Sequence, residues 1–91
     1  MNKIARALES TEGSVMVTGH TDNQPISTSR YPSNWHLSLA RATAVSDELA
    51  GAANLEGRLW PEGRGEAEPR FDNATAENRA RNRRVEISLI P

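Results

Sequence analysis

Residues 15–49, VMVTGHTDNQPISTSRYPSNWHLSLARATAVSDEL, decide the fold. The stretch opens on β-branched residues. Val15 and Val17 fall on one side of a strand over residues 14–18, and Met16 and Thr18 fall on the other. Apolar side chains on both sides predict an internal strand, ending at Gly19. The chain is then polar as far as Trp35, with His20, Thr21, Asp22 and Asn23 at the start of a long loop. Pro25 and Pro32 exclude a helix or ladder interior there. Ser33 or Asn34 is a suitable N-cap for an amphipathic helix over residues 35–50. Its core stripe is Ala42, Val45 and Leu49, flanked by Leu39, Ala44 and Ala50, with Gly51 as the stop.

Working outward toward the N-terminus, residues 2–9 put Ile4, Ala7 and Leu8 on one helical face. Toward the C-terminus, residues 58–60 read as a short strand whose Pro61 indicates a sheet edge. Residues 65–73 read as a loop with an Asx turn at Asp72. Thr75 caps a helix to about Asn82, with Glu77 in its first turn where the helix dipole favours a negative charge. Residues 83–90 alternate, with Val85, Ile87 and Leu89 on one face and Arg84, Glu86 and Ser88 on the other. The order helix, strand, helix, strand, helix, strand predicts an α/β (α+β) two-layer sandwich. Its helices lie on one side of the sheet, and residues 1–91 form a single domain.

Composition narrows the function. A chain of 91 residues carries one core, since about 100 to 200 residues per domain is usual. The absence of cysteine rules out disulfides and cysteine-ligated zinc. No apolar run reaches the ~20 residues of a membrane span, so an anchor or export signal is expected outside this stretch. With eleven basic and twelve acidic residues the net charge is -1, which argues against general polyanion binding. Residues 77–86, ENRARNRRVE, hold four arginines, but Glu77 and Glu86 bracket them and Phe71 is the one aromatic residue nearby. Nucleic acid is therefore not an expected partner.

Asp22 and Arg41 carry the chemistry. An Asp in a turn after a strand ordinarily bonds its own loop backbone. Here Gly19 permits close approach, and Thr21 and Asn23 add a hydroxyl and an amide. Arg83 shares the strand parity of Val85 and Ile87, so it points to the covered face, where a cation needs an acidic partner. Asp22 is the best candidate. Arg41 lies four residues after Leu37 and four before Val45, at the edge of the packed stripe, where its planar fork can meet a carboxylate. An Asp and an Arg across a small cleft suit a ligand with both an ammonium and a carboxylate, with Asn34 and Leu37 supplying an amide contact and an apolar wall. His20 is expected to pack against the loop. No HExxH, nucleophile elbow or paired His/Glu set follows it, so no metal, cofactor or catalytic residue is expected.

GHTDNQPI (19–26), NWHLSLARATAV (34–45), GRGEAEP (63–69) and TAENRARNRRVEI (75–87) together resemble the OmpA-like peptidoglycan-binding domain, over nearly the whole chain from Val15 onward. The resemblance implies a mixed sheet built as β-α-β-α-β. It also implies a periplasmic module that grips the diaminopimelate residue of the peptidoglycan stem peptide without a covalent bond. Asp22 and Arg41 match the family's ligand-binding Asp and Arg, Asn34 and Leu37 its N-x-x-L-S motif, and Arg83 the first Arg of its N-R-R motif, with Thr21 beside them. Within the family, the long insert resembles that of the flagellar stator MotB and, more closely, the type VI secretion protein TssL. Asn78 stands where the family commonly has Gly. Family members also have a strand before the equivalent of Ile4, which is missing here. That predicts an open sheet edge suited to homodimerisation.

The resulting expectation is a non-enzymatic anchor of an envelope complex, attached to the cell wall and to other subunits of that complex, in a protein held at the inner membrane. Two other classes compete with it. A protein-interaction module without wall binding needs neither Asp22 nor Arg41, and a small metal-dependent hydrolase would lose activity on chelation.

Overall fold

The computed structural model describes residues 2–24, 30–55 and 57–90, apart from the side chain of Asn2. The expectations placed on Pro25 and the middle of the long loop lie outside these residues. Three strands form one mixed sheet in the order β2-β1-β3. The central strand β1 (Ser14–His20) pairs in parallel with β2 (Leu59–Gly63) and antiparallel with β3 (Arg84–Ile90). The internal position expected of β1 follows from its side chains. Val15 and Val17 are fully buried, and Met16 and Thr18 are half-buried on the other face. The strand runs past its expected end because Gly19 pairs with both Gly63 and Val85, and His20 with Arg84.

β2 lies at an edge, and its proline is accommodated there. Arg58 and Arg64 exchange backbone hydrogen bonds with β1, through Val15 N to Arg58 O (2.7 Å) and Arg64 N to Gly19 O (3.0 Å). Pro61 has the opposite parity, so its missing N–H faces away from the ladder. β3 forms the other edge. Val85 and Ile87 pack on the core as expected, but Leu89 and Ile90 are exposed at the end of the strand.

The helix α2 (Asn34–Ala52) crosses β1 and β2. Ser33 is its N-cap, accepting from His36 N at 3.4 Å. The helix continues through Gly51, the expected stop, to a cap at Ala53 whose N–H donates to Leu49 O (3.1 Å). The buried side is Asn34, Ser38, Ala42, Ser46 and Leu49; Val45 and Leu39 are half-buried, while Ala44 and Ala50 are exposed. The stripe read from hydrophobic residues alone was therefore incomplete, because the inner face includes small hydroxyl residues where helix and sheet nearly touch. A Cβ on Gly19 would sit 2.0 Å from Ser38 O, and one on its register partner Gly63 would sit 2.8 Å from Ser38 Oγ. Two facing glycines thus form a saddle on which the helix backbone rests.

The helix α1 (Asn2–Glu9) packs on α2. Its inner face differs from the expected Ile4, Ala7 and Leu8. Ala5 is fully buried and Leu8 half-buried, whereas Ile4 and Ala7 are exposed. The helix is rotated so that its smallest inward residue takes the close contact. Leu49 and Leu55 are the largest buried apolar side chains of the core, joined by Ala5, Val15, Val17 and Ala42. The helix α3 (Ala76–Asn82) begins at the Thr75 cap, where Oγ1 accepts from Asn78 N (3.1 Å). Its buried residue is Asn82, so polar bonds rather than an apolar face hold it in place.

Candidate ligand-binding site

Thr21 and Asp22 follow β1 directly and are both buried. Thr21 N donates to Gly65 O (2.8 Å), and Thr21 Oγ1 donates to Asp22 O (2.9 Å). The hydroxyl expected to be available for a ligand is thus engaged in the loop. Asp22 Oδ1 accepts from Gln24 N (3.0 Å), and Oδ2 accepts from Arg83 Nη1 at 2.5 Å. The Asp22 side chain is 8% exposed and that of Arg83 is 43% exposed, so a desolvated carboxylate meets a cation that still reaches water. Arg83 meets Asp22 as expected, but as the C-cap of α3, one residue before β3, rather than as a residue of the strand expected over 83–90. A buried carboxylate deprived of this partner would carry the full desolvation penalty. An ionised carboxylate offers about four lone-pair positions, so these two bonds leave acceptor capacity on Asp22.

The start of α2 closes over this loop. Buried Asn34 donates from Nδ2 to Gln24 O (3.0 Å) and, at 3.5 Å, to Asp22 O. Leu37 and Arg41 follow at i+3 and i+7 on the same helix face, Leu37 half-buried and Arg41 exposed. Two turns of helix put Arg41 about 10 Å along the axis from Asn34. Among the described residues Arg41 has no hydrogen-bonding or ionic partner. The described residues thus offer a buried, oriented carboxylate in the loop after β1 and, two turns along α2 from Asn34, an exposed guanidinium with no partner among them.

Polar residues not singled out from the sequence hold this end of the molecule together. Asn82 is fully buried. Its Oδ1 accepts from Arg70 N (3.0 Å) and Phe71 N (3.1 Å), and its Nδ2 donates to Phe71 O and Asn73 Oδ1 (both 2.9 Å). All four of its positions are used, which fixes the loop before α3 and hence the neighbouring Arg83. Ser38 Oγ donates to Trp35 O (2.8 Å) and accepts from Gly65 N (2.9 Å), tying α2 to the loop after β2. Hydrophobic patterning is blind to both residues. The visible signals were the Asn-Arg-Arg run for Asn82 and the facing glycines for Ser38.

His20 belongs to the strand rather than to the loop. It ends β1 on the face away from α2, with Nε2 3.5 Å from Glu86 Oε2. Burial first and the Arg84 charge second pull its pKa below 6.5, so the contact with Glu86 is polar rather than ionic at neutral pH. The hydrogen bond from Arg84 Nε to Glu86 Oε2 (2.5 Å) is the main cause holding the Glu86 pKa below 4.5. With Arg64, Glu68 and Arg70, these residues line a cavity of about 450 Å³. A second cavity, of about 280 Å³, lies between Asn34, Trp35 and the Gly65 loop. Of the residues expected in the site, Asn34 alone lines either cavity. No group of three or more His, Asp or Glu side chains among the described residues could hold a metal ion.

The profile of the OmpA family matches residues 1–83. The solved cell wall anchor of the type VI secretion system from Pseudomonas aeruginosa superposes with a TM-score of 0.86 and 56% identity, over 96% of this chain and 61% of that one. Motility protein B of Bacillus subtilis is 42% identical over 78 residues, 85% of this chain and 30% of its own length. The peptidoglycan-binding protein ArfA of Mycobacterium tuberculosis is 36% identical over 88 residues, 96% of this chain and 26% of its own length. The chain thus spans less than a third of these two curated relatives. The secretion and motility proteins found here are the branch of the family to which the long insert pointed. By profile, identity and shared fold, the chain belongs to the OmpA family, as a non-enzymatic domain.

Proposed function

We propose that this domain binds peptidoglycan through the diaminopimelate residue of the stem peptide and so anchors an envelope-spanning complex, of the type VI secretion kind, to the cell wall. The observation that supports this reading is a buried, Arg83-braced Asp22 together with an exposed Arg41 that has no partner among the described residues, on the α2 helix that Asn34 ties to the Asp22 loop. The remaining acceptor capacity of Asp22 takes the ligand ammonium, Arg41 takes its carboxylate in a two-point contact, and Leu37 lies against its methylene chain. Arg83 holds the Asp22 carboxylate in place and aims it. The site needs no cofactor, because recognition by complementary charge breaks no bond.

Relatives named as a cell wall anchor, a motility protein and a peptidoglycan-binding protein support wall attachment. The domain then works in the periplasm, beside other subunits of its complex. None of the described helices is long and apolar enough to cross a membrane, so this reading places the membrane anchor elsewhere in the protein. Among the described residues β3 pairs with β1 alone, and we propose its other edge as the place where a second copy pairs.

Cosedimentation with purified diaminopimelate-type peptidoglycan tests the reading. The wild-type domain is expected in the pellet, and Asp22→Ala and Arg41→Ala in the supernatant. Losing one partner of such a charge contact costs about 2 to 5 kcal/mol. Folded Asp22→Ala and Arg41→Ala variants that both still sediment would contradict it.

A further inference from the structure

We infer that the face of the sheet away from α2 is a docking surface for another protein subunit, which seats an apolar side chain on Trp60 and Met16 and a single acidic side chain on Arg70. Such a surface stands or falls independently of the Asp22 site.

Strand register builds this face in rows. α2 packs on the Val15 and Val17 side of β1, so Met16, Thr18 and His20 lie on the other. Met16 pairs with Trp60 on β2 and Ser88 on β3, Ser14 with Ile90, and Thr18 with Glu62 and Glu86. Trp60 is 56% exposed and Ile90 50%, with half-buried Met16 on the strand between theirs. One exposed apolar residue is ordinary, but these three share a sheet face and form a patch.

The next row carries charge. Thr18 and His20 line the cavity of about 450 Å³ with Arg64, Arg70, Arg84 and Glu86. Arg64 is taken by Glu62 (2.9 Å) and, more loosely, Glu68 (3.7 Å), and Arg84 by Glu86 (2.5 Å). The Arg70 guanidinium is the one of this lining with no hydrogen-bonding or ionic partner among the described residues. Buried His20 also keeps an Nδ1 without a partner among them. Folding therefore leaves this end of the face polar and incompletely paired.

The occupant follows from that charge and from the spacing. One free guanidinium takes one carboxylate in a planar two-point contact, whereas a polyanion would also meet Glu68 and Glu86. A small free carboxylate has no use for the apolar row, but a protein segment carrying both groups fills it. Two residues of strand separate the Met16 and Thr18 rows by about 7 Å. An acidic residue two places from an apolar one in an extended segment spans that distance, and so does one turn of helix. Trp and Arg are also the side chains that most often dominate the energy of protein interfaces.

Photo-crosslinking of the full-length parent protein in its own cells tests the surface. p-Benzoylphenylalanine in place of Ser88, an exposed residue paired with Met16, puts the crosslinker on this face; the same group in place of Ala50, exposed on α2, is the control. Irradiation is expected to give an adduct with a different protein from position 88 and not from position 50. Mass spectrometry of the captured segment is expected to find an acidic residue two places, or one helical turn, from an apolar one. Arg70→Glu and Trp60→Ala are each expected to cut the adduct at least about tenfold, with urea midpoint and peptidoglycan cosedimentation as in the wild type. No adduct from position 88, an adduct with a second copy of this chain, or a heterologous adduct that survives Arg70→Glu would overturn the docking surface and leave the Asp22 site standing.

Discussion

The two ends of the sheet are each clamped by an arginine, and the two clamps are built differently. At the end where β1 begins, Arg58 donates from Nε to Gly13 O (2.7 Å) and from Nη1 to Leu8 O (2.9 Å), and its Nη2 reaches Thr11 Oγ1 (3.4 Å). Every acceptor there is neutral, and all of them belong to the end of α1 or the turn leading into β1. At the end where β1 finishes, Arg83 meets a buried carboxylate, Asp22. Holding a loop requires only the first arrangement. Burying a carboxylate adds a desolvation cost that Arg83 must offset, with little net gain in stability expected from such a pair. The Asp22 end therefore carries a charge beyond what holding a loop needs, in keeping with the proposed binding role.

Substitutions at the two ends should therefore separate stability from binding. The largest effect is expected at the saddle beneath the binding end. Gly19→Val drives side-chain atoms into the Ser38 backbone, which cannot yield without moving α2. Destabilisation of at least about 3 kcal/mol is expected in urea unfolding, up to failure to fold. A Gly19→Val domain of wild-type stability would show that helix and sheet are not in contact there.

Next comes Arg58→Ala, which strips two carbonyls and a hydroxyl of a half-buried donor. A loss of about 1 to 3 kcal/mol is expected, with peptidoglycan binding unchanged in the folded fraction. Impaired binding at full stability would blur the contrast between the two ends.

A smaller effect is expected from pH. The His20 pKa is lower folded than unfolded, so its contribution is fully present above about pH 6.5 and is lost as pH falls through that value toward the folded pKa. The lowered pKa of Glu86 acts in the same direction at more acid pH, below about 4.5. The urea midpoint should therefore fall on acidification from about pH 7.5 to 5.5, and His20→Gln should flatten that slope. An unchanged slope in the variant would remove His20 from the account.

Least of all, Arg41→Ala is expected to alter stability by no more than about 0.5 kcal/mol, because the side chain is exposed and has no partner among the described residues. Any larger loss would give Arg41 a structural role.

Much of this was legible in the sequence. The need of Arg83 for an acidic partner pointed to Asp22 across sixty-one residues of chain, although Arg83 caps α3 rather than lying in β3, and Pro61 marked the edge strand. What patterning missed was the polar scaffold. Ser38 and Asn82 are fully buried because glycines bring the backbone close and because loop amides need partners, neither of which hydrophobic periodicity measures. The same blindness misjudged α1, where Ala5 rather than Ile4 faces the core. His20, read as a loop residue, lies one pairing step further along β1 than the glycine before it suggested. Its position at the entry of α2, and then the resemblance, singled out Asn34 for the site, and its tie to the Asp22 loop emerged only with the fold.

The central claim is that ligand recognition belongs to one end of the sheet alone. A ¹H–¹⁵N NMR titration of the wild-type domain with diaminopimelate tests it residue by residue. Concentration-dependent shifts are predicted at Thr21, Asp22, Asn34, Leu37 and Arg41, with Gly13 and Arg58 silent. Shifts centred on the Gly13–Arg58 end, or none at any concentration up to that of intact wall binding, would contradict it.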